Sequence, residues 1–150
     1  MVHVDRILPA GRKRLLTIGE EAPLMDVAKL LREPDADLVV VCNGDERMVG
    51  VISKTDVVRQ ISQWRESEFA AAASTVMTRT VVSFRPDDPL QDVWTTMKHR
   101  TLKNVPILDQ DSRPIGVLNA RDVLEALLEE VEHEELLLRE YVMRIGHPRI

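Results

Sequence analysis

The sequence predicts an α/β (α+β) fold made of two β-α-β-β-α units that pack together, followed by an extended C-terminal helix. Three observations predict it. When the chain is shifted by 66 residues, Thr17–Ile61 aligns without a gap to Ser83–Leu127, and 11 of the 45 pairs are identical. Such self-similarity indicates two copies of one supersecondary unit. Short apolar runs alternate with helical spacing in both copies, and the last helical pattern continues well beyond its counterpart.

Each repeat opens with a short apolar run that is followed by a helix. The runs Leu15–Ile18 and Val81–Phe84 favour strands. Helices are expected over Pro23–Arg32 and Pro89–His99, where apolar residues recur at intervals of three and four. Asp88 is expected to cap the later helix, because it precedes a proline that suits the first helical position.

Two apolar strands joined by a polar turn come next in each repeat. In the first repeat they are Leu38–Cys42 and Arg47–Ile52, and the Asn-Gly pair between them is typical of a hairpin. In the second repeat they are Asn104–Leu108 and Arg113–Leu118. Because these strands are nearly all apolar, we expect both faces of each sheet to be covered.

A second helix closes each repeat, over Ser53–Trp64 in the first and from Asn119 onward in the second. The segment Arg65–Ala73 between the repeats is interpreted as a linker or a short helix. Helical spacing continues to Ile145, and Gly146 is the expected C-terminal cap of the last helix.

Two interpretations stay open for the end of this last helix. Five glutamates between Glu129 and Glu135 indicate a solvated face. A surface that packs on another subunit is indicated by its large apolar side chains, which are Leu136, Leu137, Leu138 and Tyr141.

The composition limits the class of function. The net charge of -5 disfavours nucleic acid as the main partner, because a phosphate backbone needs a basic surface. No apolar run approaches the roughly 20 residues of a membrane span, and the single cysteine, Cys42, allows no disulfide within the chain. We therefore expect a cytoplasmic protein. No phosphate loop, metal cluster or nucleophile motif is recognisable, so we predict no catalytic residue, no metal site and no required cofactor.

The segment Gly50–Asp56 is the strongest candidate site, and it has two compatible interpretations. Ser53 and Asp56 have the spacing of a capping box, which is a purely structural role. The same geometry suits a nucleotide, because amides at a helix N-terminus attract phosphate and a carboxylate accepts hydrogen bonds from ribose. A carboxylate has enough lone pairs for both tasks.

On these residues the chain resembles the paired CBS domains, or Bateman module. In that family each repeat is β-α-β-β-α and ends in Gly-apolar-x-Ser/Thr-x-x-Asp. Gly50–Asp56 matches this motif fully, and Gly116–Asp122 departs from it only at Asn119. Further marks of the family are Val4–Leu8, Val76–Thr78 and Asn104–Asp109.

The resemblance divides the chain into a first repeat, residues 1–66, and a second repeat with the long helix, residues 67–150. It implies a regulatory binding module and not an enzyme. Such pairs bind adenosine-containing ligands (AMP, ADP, ATP, S-adenosylmethionine or NAD) in clefts between the repeats. They commonly form homodimers and signal by altered packing, with themselves or with a client protein.

Two pseudo-symmetric clefts follow from the resemblance by position. The better cleft is implied to contain Val51, Ser53, Thr55, Asp56, Thr78, Val82, Leu102, Lys103 and Pro106. The weaker cleft is implied to contain Leu16, Ala36, Asp37, Leu38, Val117, Asn119, Arg121 and Asp122.

The resemblance also implies roles. Asp56 would hold the ribose, and Lys103 or Arg100 would neutralise a phosphate. Asp37 corresponds to Lys103 in the weaker cleft, where a negative charge would repel phosphate, so one good site is expected. Two alternatives stay open. A structural or dimerisation module without a ligand is favoured by Asn119 and Asp37, and a nucleic-acid-binding protein is disfavoured by the acidic charge.

Overall fold

The computed structural model describes residues 1–63 and 70–146. Trp64, which was predicted to end a helix, and residues 65–69 of the predicted linker lie outside the described residues.

Two short helices that the sequence pattern did not predict begin the chain. A 3-10 helix spans Val4–Ile7, and α1 spans Leu8–Arg14. Helix α1 packs closely on a strand of the second repeat: a Cβ on Gly11 would lie 3.1 Å from Leu118 Cδ2 and 3.3 Å from the carbonyl oxygen of Val117. Tertiary packing therefore stabilises a helix that contains both a proline and a glycine.

The first repeat has the predicted order of elements. They are β1 (Thr17–Gly19), α2 (Leu24–Leu30), β2 (Leu38–Cys42), β3 (Met48–Ser53) and α3 (Lys54–Ile61). The strands form a sheet in the order β1-β2-β3, in which β1 runs parallel and β3 antiparallel to β2.

The second repeat begins after a 3-10 helix at Ala73–Thr75. Its elements are α4 (Leu90–Arg100), β4 (Asn104–Leu108), β5 (Pro114–Asn119) and α5 (Ala120–Gly146). Gly146 is the last described residue of α5, so its capping role stays a prediction.

Two local predictions for the second repeat are wrong. The strand expected over Val81–Phe84 is reduced to one parallel bridge between Phe84 and Ile107. The N-cap of α4 is Pro89 and not Asp88. The Asp88 carboxylate instead accepts a hydrogen bond from the Arg85 amide at 2.7 Å, and the Leu90 amide at the helix start donates to the carbonyl of Val2 at 2.9 Å.

Both predicted hairpins form, and their turns are built alike. Asn43 Oδ1 accepts hydrogen bonds from two backbone amides ahead of it, and Asp109 Oδ1 does the same in the second repeat. The left-handed residues are Glu46 (φ 64°) and Ser112 (φ 63°), so Gly44 is not the residue that makes the turn possible.

The sheets are covered on both faces, as the apolar strands predicted. Every residue of β2 is buried. Val39 and Val41 face the core of the first repeat, whereas Leu38, Val40 and Cys42 pack with Val117 of the second repeat. The sheet-to-sheet contact between the repeats is therefore apolar.

The N-terminal segment of the chain packs into the core of the second repeat, and the segment between the repeats packs into the core of the first. Val4 and Leu8 lie in the core of the second repeat, and the Val4 amide donates to the carbonyl of Asp88 at 2.9 Å. The equivalent bond in the first repeat is made by the Ala73 amide to the carbonyl of Ala22 at 2.8 Å. Val4 and Ala73 are 69 positions apart instead of 66, so the N-terminal segment has three more residues, and α1 accommodates them.

Candidate functional site

A cavity of about 1090 Å³ lies between the two repeats. The first repeat contributes the end of β3, the start of α3 and the residues before β2. The second contributes the segment 78–82 and the residues between α4 and β4. Its lining comprises Asp37, Leu38, Val51, Ser53, Lys54, Thr55, Val58, Thr78, Thr80, Val81, Val82, Arg100, Thr101, Leu102, Lys103, Asn104 and Pro106.

This cavity brings together most residues of the better predicted cleft. Val51, Ser53, Thr55, Thr78, Val82, Leu102, Lys103 and Pro106 all lie in its wall, and Asp56 does not. Sequence reasoning missed Lys54, although it stands inside the Gly50–Asp56 motif. It also missed Thr101, which closes α4 in a left-handed conformation (φ 55°) and which no sequence signal indicated.

The start of α3 forms the predicted capping box. The Asp56 amide donates to Ser53 Oγ at 3.0 Å, and the Ser53 amide donates to Asp56 Oδ2 at 2.9 Å. The Lys54 amide donates to the carbonyl of Asp37 at 2.9 Å. Within the described residues this leaves the Thr55 amide as the one donor of the first helical turn without an acceptor, and Thr55 faces the cavity.

Asp56 is turned toward its own helix. Its Oδ2 is held by the Ser53 amide, and its Oδ1 lies 3.7 Å from the Arg59 guanidinium. The side chain is 24% exposed, so it keeps contact with water. In this conformation Asp56 fixes the geometry of Ser53 from behind the cavity wall.

A close approach of two backbones builds the wall at β3. Val51 and Thr78 exchange two hydrogen bonds, of 3.0 and 2.9 Å, so the segment after the linker lies directly on the end of β3. The neighbouring Gly50 permits this, because a Cβ there would lie 2.8 Å from the carbonyl oxygen of Thr78.

The charged side chains that line the cavity are predominantly basic. Lys54, Arg100 and Lys103 contribute three positive charges and Asp37 one negative charge. The Lys54 ammonium donates to the carbonyl of Glu33 at 3.1 Å. Across the described ranges, no carboxylate forms an ion pair with Arg100 or Lys103. Their charges are therefore available to an anion in the cavity.

The cleft related to this cavity by the 66-residue shift is smaller, about 540 Å³, and α1 forms one of its sides. Arg14 of α1 donates from Nε to Asp122 Oδ2 at 3.0 Å. Asp122 is the counterpart of Asp56, so in the smaller cleft an internal guanidinium already pairs with the corresponding carboxylate. Asn119 caps α5 as Ser53 caps α3, with its Oδ1 accepting from the Asp122 amide at 2.8 Å.

The residues of the weaker predicted cleft are divided by the structure. Leu16, Ala36 and Asp122 line the smaller cleft. Asp37 and Leu38 line the larger cavity instead, because the bond from the Lys54 amide holds Asp37 beside the start of α3. Val117, Asn119 and Arg121 line neither space; Val117 is buried in the contact between the repeats.

Comparison with protein families agrees with this architecture. The family model of the CBS domain matches twice, at residues 7–63 and 73–129. The chain belongs to the CBS domain family. Each match spans one set of the repeated elements, so the chain is a tandem CBS pair.

Two curated relatives match this chain over very different shares of their own length. A homoserine O-acetyltransferase of Methanohalobium evestigatum is 25% identical over 116 residues, which are 77% of this chain and 22% of that protein. An uncharacterized protein of Methanocaldococcus jannaschii is 26% identical and is matched over 88% of its length by 77% of this chain. This chain thus spans about a fifth of the acetyltransferase and most of the uncharacterized protein.

Solved CBS structures share the fold. A CBS-domain protein of Agrobacterium tumefaciens superposes with a TM-score of 0.71 at 22% identity, over 83% of this chain and 98% of that one. The CBS pair of protein MJ0100, solved with 5′-methylthioadenosine and S-adenosyl-L-methionine, gives 0.72 at 20% identity, over 87% and 98%. CBSX2 in complex with AMP gives 0.72 at 20% identity, over 86% and 98%.

Within residues 1–63 and 70–146, no group of three or more histidine, cysteine, aspartate or glutamate side chains has the arrangement of a metal site. No helix within them is both long and apolar enough to span a bilayer.

Proposed function

We propose that this CBS pair is a regulatory module that binds one adenosine nucleotide in the large cavity between its repeats. The observation that carries the proposal is the cavity itself: about 1090 Å³, lined by both repeats, with apolar walls and three cationic side chains. This volume is slightly above the range of about 300–1,000 Å³ that ligand pockets occupy, so the cavity has room for a nucleotide. A ligand that contacts both repeats can change how they pack, which is what a regulatory module requires.

The apolar part of the lining suits a nucleobase. Val51 and Val82 come from opposite repeats, and Leu102 and Pro106 lie before and within β4. A planar ring between such side chains would bury apolar surface, while the hydroxyls of Ser53 and Thr55 offer hydrogen bonds to a ribose. Asp56 contributes by holding Ser53 from behind the cavity wall.

The charge of the cavity favours phosphorylated ligands. Arg100 and Lys103 lie at its second-repeat side without a carboxylate partner among the described residues. An ammonium or guanidinium attracts a phosphate strongly, and bonds between charged groups contribute about 1.5–3 kcal/mol each. S-adenosylmethionine has one carboxylate but also a sulfonium and an ammonium, so its net positive charge gains less from these residues than a phosphate does. We therefore expect AMP, ADP or ATP to bind more tightly than S-adenosylmethionine.

The comparisons support an adenosine ligand in general terms. One structural neighbour was solved with AMP, and another with 5′-methylthioadenosine and S-adenosyl-L-methionine. The internal Arg14–Asp122 pair and the smaller volume of the related cleft support a single site in each chain.

Calorimetric titration of nucleotide-free protein with AMP, ADP, ATP, NADH and S-adenosylmethionine tests the proposal. We expect one site per chain and tighter binding of a phosphorylated ligand. Lys103→Gln should weaken that ligand about tenfold or more, whereas the matched change Lys98→Gln should not, because exposed Lys98 lies on α4 outside the cavity.

Each outcome of the titration is informative. Heat from S-adenosylmethionine alone would contradict the proposed charge selectivity. An equal loss of affinity in both lysine variants would mean that the ligand responds to net charge and not to this cavity. No heat and no thermal stabilisation with any ligand would favour a structural module without a ligand.

A further inference from the structure

Helix α2 is one turn shorter than its counterpart in the second repeat. It has 7 residues and ends at Leu30, whereas α4 has 11 residues and continues to Arg100, the counterpart of Pro34. Pro34 explains the difference, because a proline inside a helix lacks an amide donor and disfavours the helical conformation in the residue before it. Residues 31–37 therefore take an irregular path to β2, and most of them are exposed.

Lys54 ties this segment to the start of α3. In the described part of the chain, three hydrogen bonds hold residues 32–37, and two of them come from Lys54. Its amide donates to the carbonyl of Asp37 at 2.9 Å, and its ammonium donates to the carbonyl of Glu33 at 3.1 Å. The third closes a turn from the Ala36 amide to the Glu33 carbonyl at 3.1 Å. Lys54 thus holds the segment near both of its ends.

The second repeat has the backbone bond and lacks the side-chain bond. The Ala120 amide donates to the carbonyl of Lys103 at 2.9 Å, which is the equivalent of the first bond under the 66-residue shift. Ala120 has no donor in its side chain. His99, the counterpart of Glu33, lies within α4 and is held by the helix. The bond from the Lys54 ammonium therefore belongs to the first repeat, where it supports a segment that is not helical.

The segment forms part of both spaces between the repeats. Glu33, Asp35 and Ala36 line the smaller cleft, and Asp37 lines the larger cavity. Lys54 lines the larger cavity, but its ammonium is bound to a residue of the smaller cleft. A change in the contacts of Lys54 can therefore be transmitted from one space to the other.

A phosphate in the larger cavity would compete with Glu33 for this ammonium. The carbonyl oxygen is neutral, whereas a phosphate carries a full negative charge and attracts the ammonium more strongly. The lysine side chain is flexible. Because Glu33 is not part of the wall of the larger cavity, the ammonium has to leave its carbonyl to meet a phosphate. The backbone bond at Asp37 stays, so residues 32–36 become free to move about that point.

We propose that Lys54 is a latch: a phosphorylated nucleotide in the larger cavity draws its ammonium from Glu33, releases residues 32–36 and reshapes the smaller cleft. This inference rests on the proposed function, because it requires a phosphate in the larger cavity. The released residues are mostly exposed, so they present the occupancy of the cavity at the surface of the molecule.

Hydrogen exchange of single backbone amides, followed by NMR on the full chain, tests the closed latch. The Ala36 amide reports on it, because this amide donates to the carbonyl that Lys54 holds. Without nucleotide, Lys54→Ala should speed its exchange about threefold or more, since local opening no longer breaks the side-chain bond. Lys29→Ala removes the same charge from an exposed residue of α2 outside the larger cavity, and it should leave the rate unchanged. Circular dichroism verifies that each variant is folded.

Addition of nucleotide tests the release. AMP, ADP or ATP, whichever binds most tightly in the calorimetric titration, is added to saturation. It should speed exchange of the Ala36 amide in the wild type about threefold or more, which is the effect of losing the same bond. Adenosine, which has no phosphate, should not. In Lys54→Ala, the nucleotide should cause no further acceleration at a concentration that saturates this variant.

The outcomes separate the latch from the proposed function. Unchanged or slower exchange in the wild type with nucleotide bound would overturn the latch and leave the proposed function intact. Equal acceleration by adenosine, or equal exchange in the nucleotide-free wild type and Lys54→Ala, would also overturn the latch alone. If none of the nucleotides gave heat in the titration, the proposed function would fail, and the latch with it.

Discussion

Gly50→Ala tests the close backbone contact that forms the cavity wall. The added Cβ would lie 2.7 Å from Met77 Sδ and 2.8 Å from the carbonyl oxygen of Thr78. The methionine end can move aside. The carbonyl cannot, because it accepts the Val51 amide at 3.0 Å. Relief of the clash therefore requires the end of β3 to separate from the segment at Thr78.

The magnitude follows from what that separation weakens. Val51 and Thr78 exchange two backbone hydrogen bonds, each worth about 0.5–1.5 kcal/mol. Overpacking of a well-packed site costs about 1–3 kcal/mol in total, and this cost includes the weakened bonds. The lower entropy of alanine in the unfolded chain offsets about 0.4–1 kcal/mol. We expect Gly50→Ala to lower the free energy of unfolding by about 1–2 kcal/mol.

Urea unfolding measures this change as a lower midpoint at an unchanged m value. Gly44→Ala is the matched control, since its Cβ would meet nothing within 4 Å and its φ is not left-handed. Gly116→Ala should fall between the two, because its nearest contacts are 3.0 Å to Leu8 Cδ1 and 3.1 Å to the backbone carbon of Gly11. If Gly50→Ala were as stable as Gly44→Ala, the backbone contact would not constrain the wall.

Two further predictions concern charged side chains. Arg14→Gln should lower the free energy of unfolding by no more than about 1 kcal/mol, because both members of the Arg14–Asp122 pair contact water, and the loss measured by urea unfolding should shrink in about 1 M salt. The Asp109 carboxylate accepts the backbone amides of Arg113 and Asp111, which lowers its pKa below 3.8. A lowered pKa in the folded state gives stability that is present above the unfolded value and is lost as the pH falls through the folded value. Asp109→Asn keeps the acceptor oxygen, as Asn43 does in the first repeat, so its urea midpoint should fall less than that of the wild type between about pH 5 and pH 3. An equal fall in both proteins would assign the acid sensitivity to other carboxylates.

The internal repeat predicted the core of the fold well, because β2 and β4 are apolar runs with clear polar ends. The bounds of both strands agree with the prediction at each end. Helix α1 was not predicted, since its sequence has no apolar periodicity and contains Pro9 and Gly11. Its stability depends on contact with β5, which lies more than 100 positions later in the chain. A local pattern carries no signal of such a contact.

In the candidate site, as in the fold, contacts between residues close in sequence were predicted correctly, and contacts between distant residues were not. The Gly50–Asp56 motif correctly predicted the capping box, which is a contact across three residues. The alignment of the two repeats predicted Asp37 in the smaller cleft. In the structure, a hydrogen bond from the Lys54 amide holds Asp37 at the edge of the larger cavity. The Arg14–Asp122 pair could not be read from the sequence either, because α1, which carries Arg14, breaks the equivalence of the two repeats.

Because the N-terminal segment packs into the second repeat, the order of synthesis limits the order in which the newly made chain can fold. Val4 hydrogen-bonds to Asp88, which follows it by 84 residues. At about 5–20 residues per second, a ribosome needs roughly 4–17 s to add them. During that interval the apolar side chains of Val4 and Leu8 have no core to enter. Val4 and Leu8, which are synthesised before both repeats, are thus among the last residues to reach their final positions, and their burial depends on the synthesis of α4.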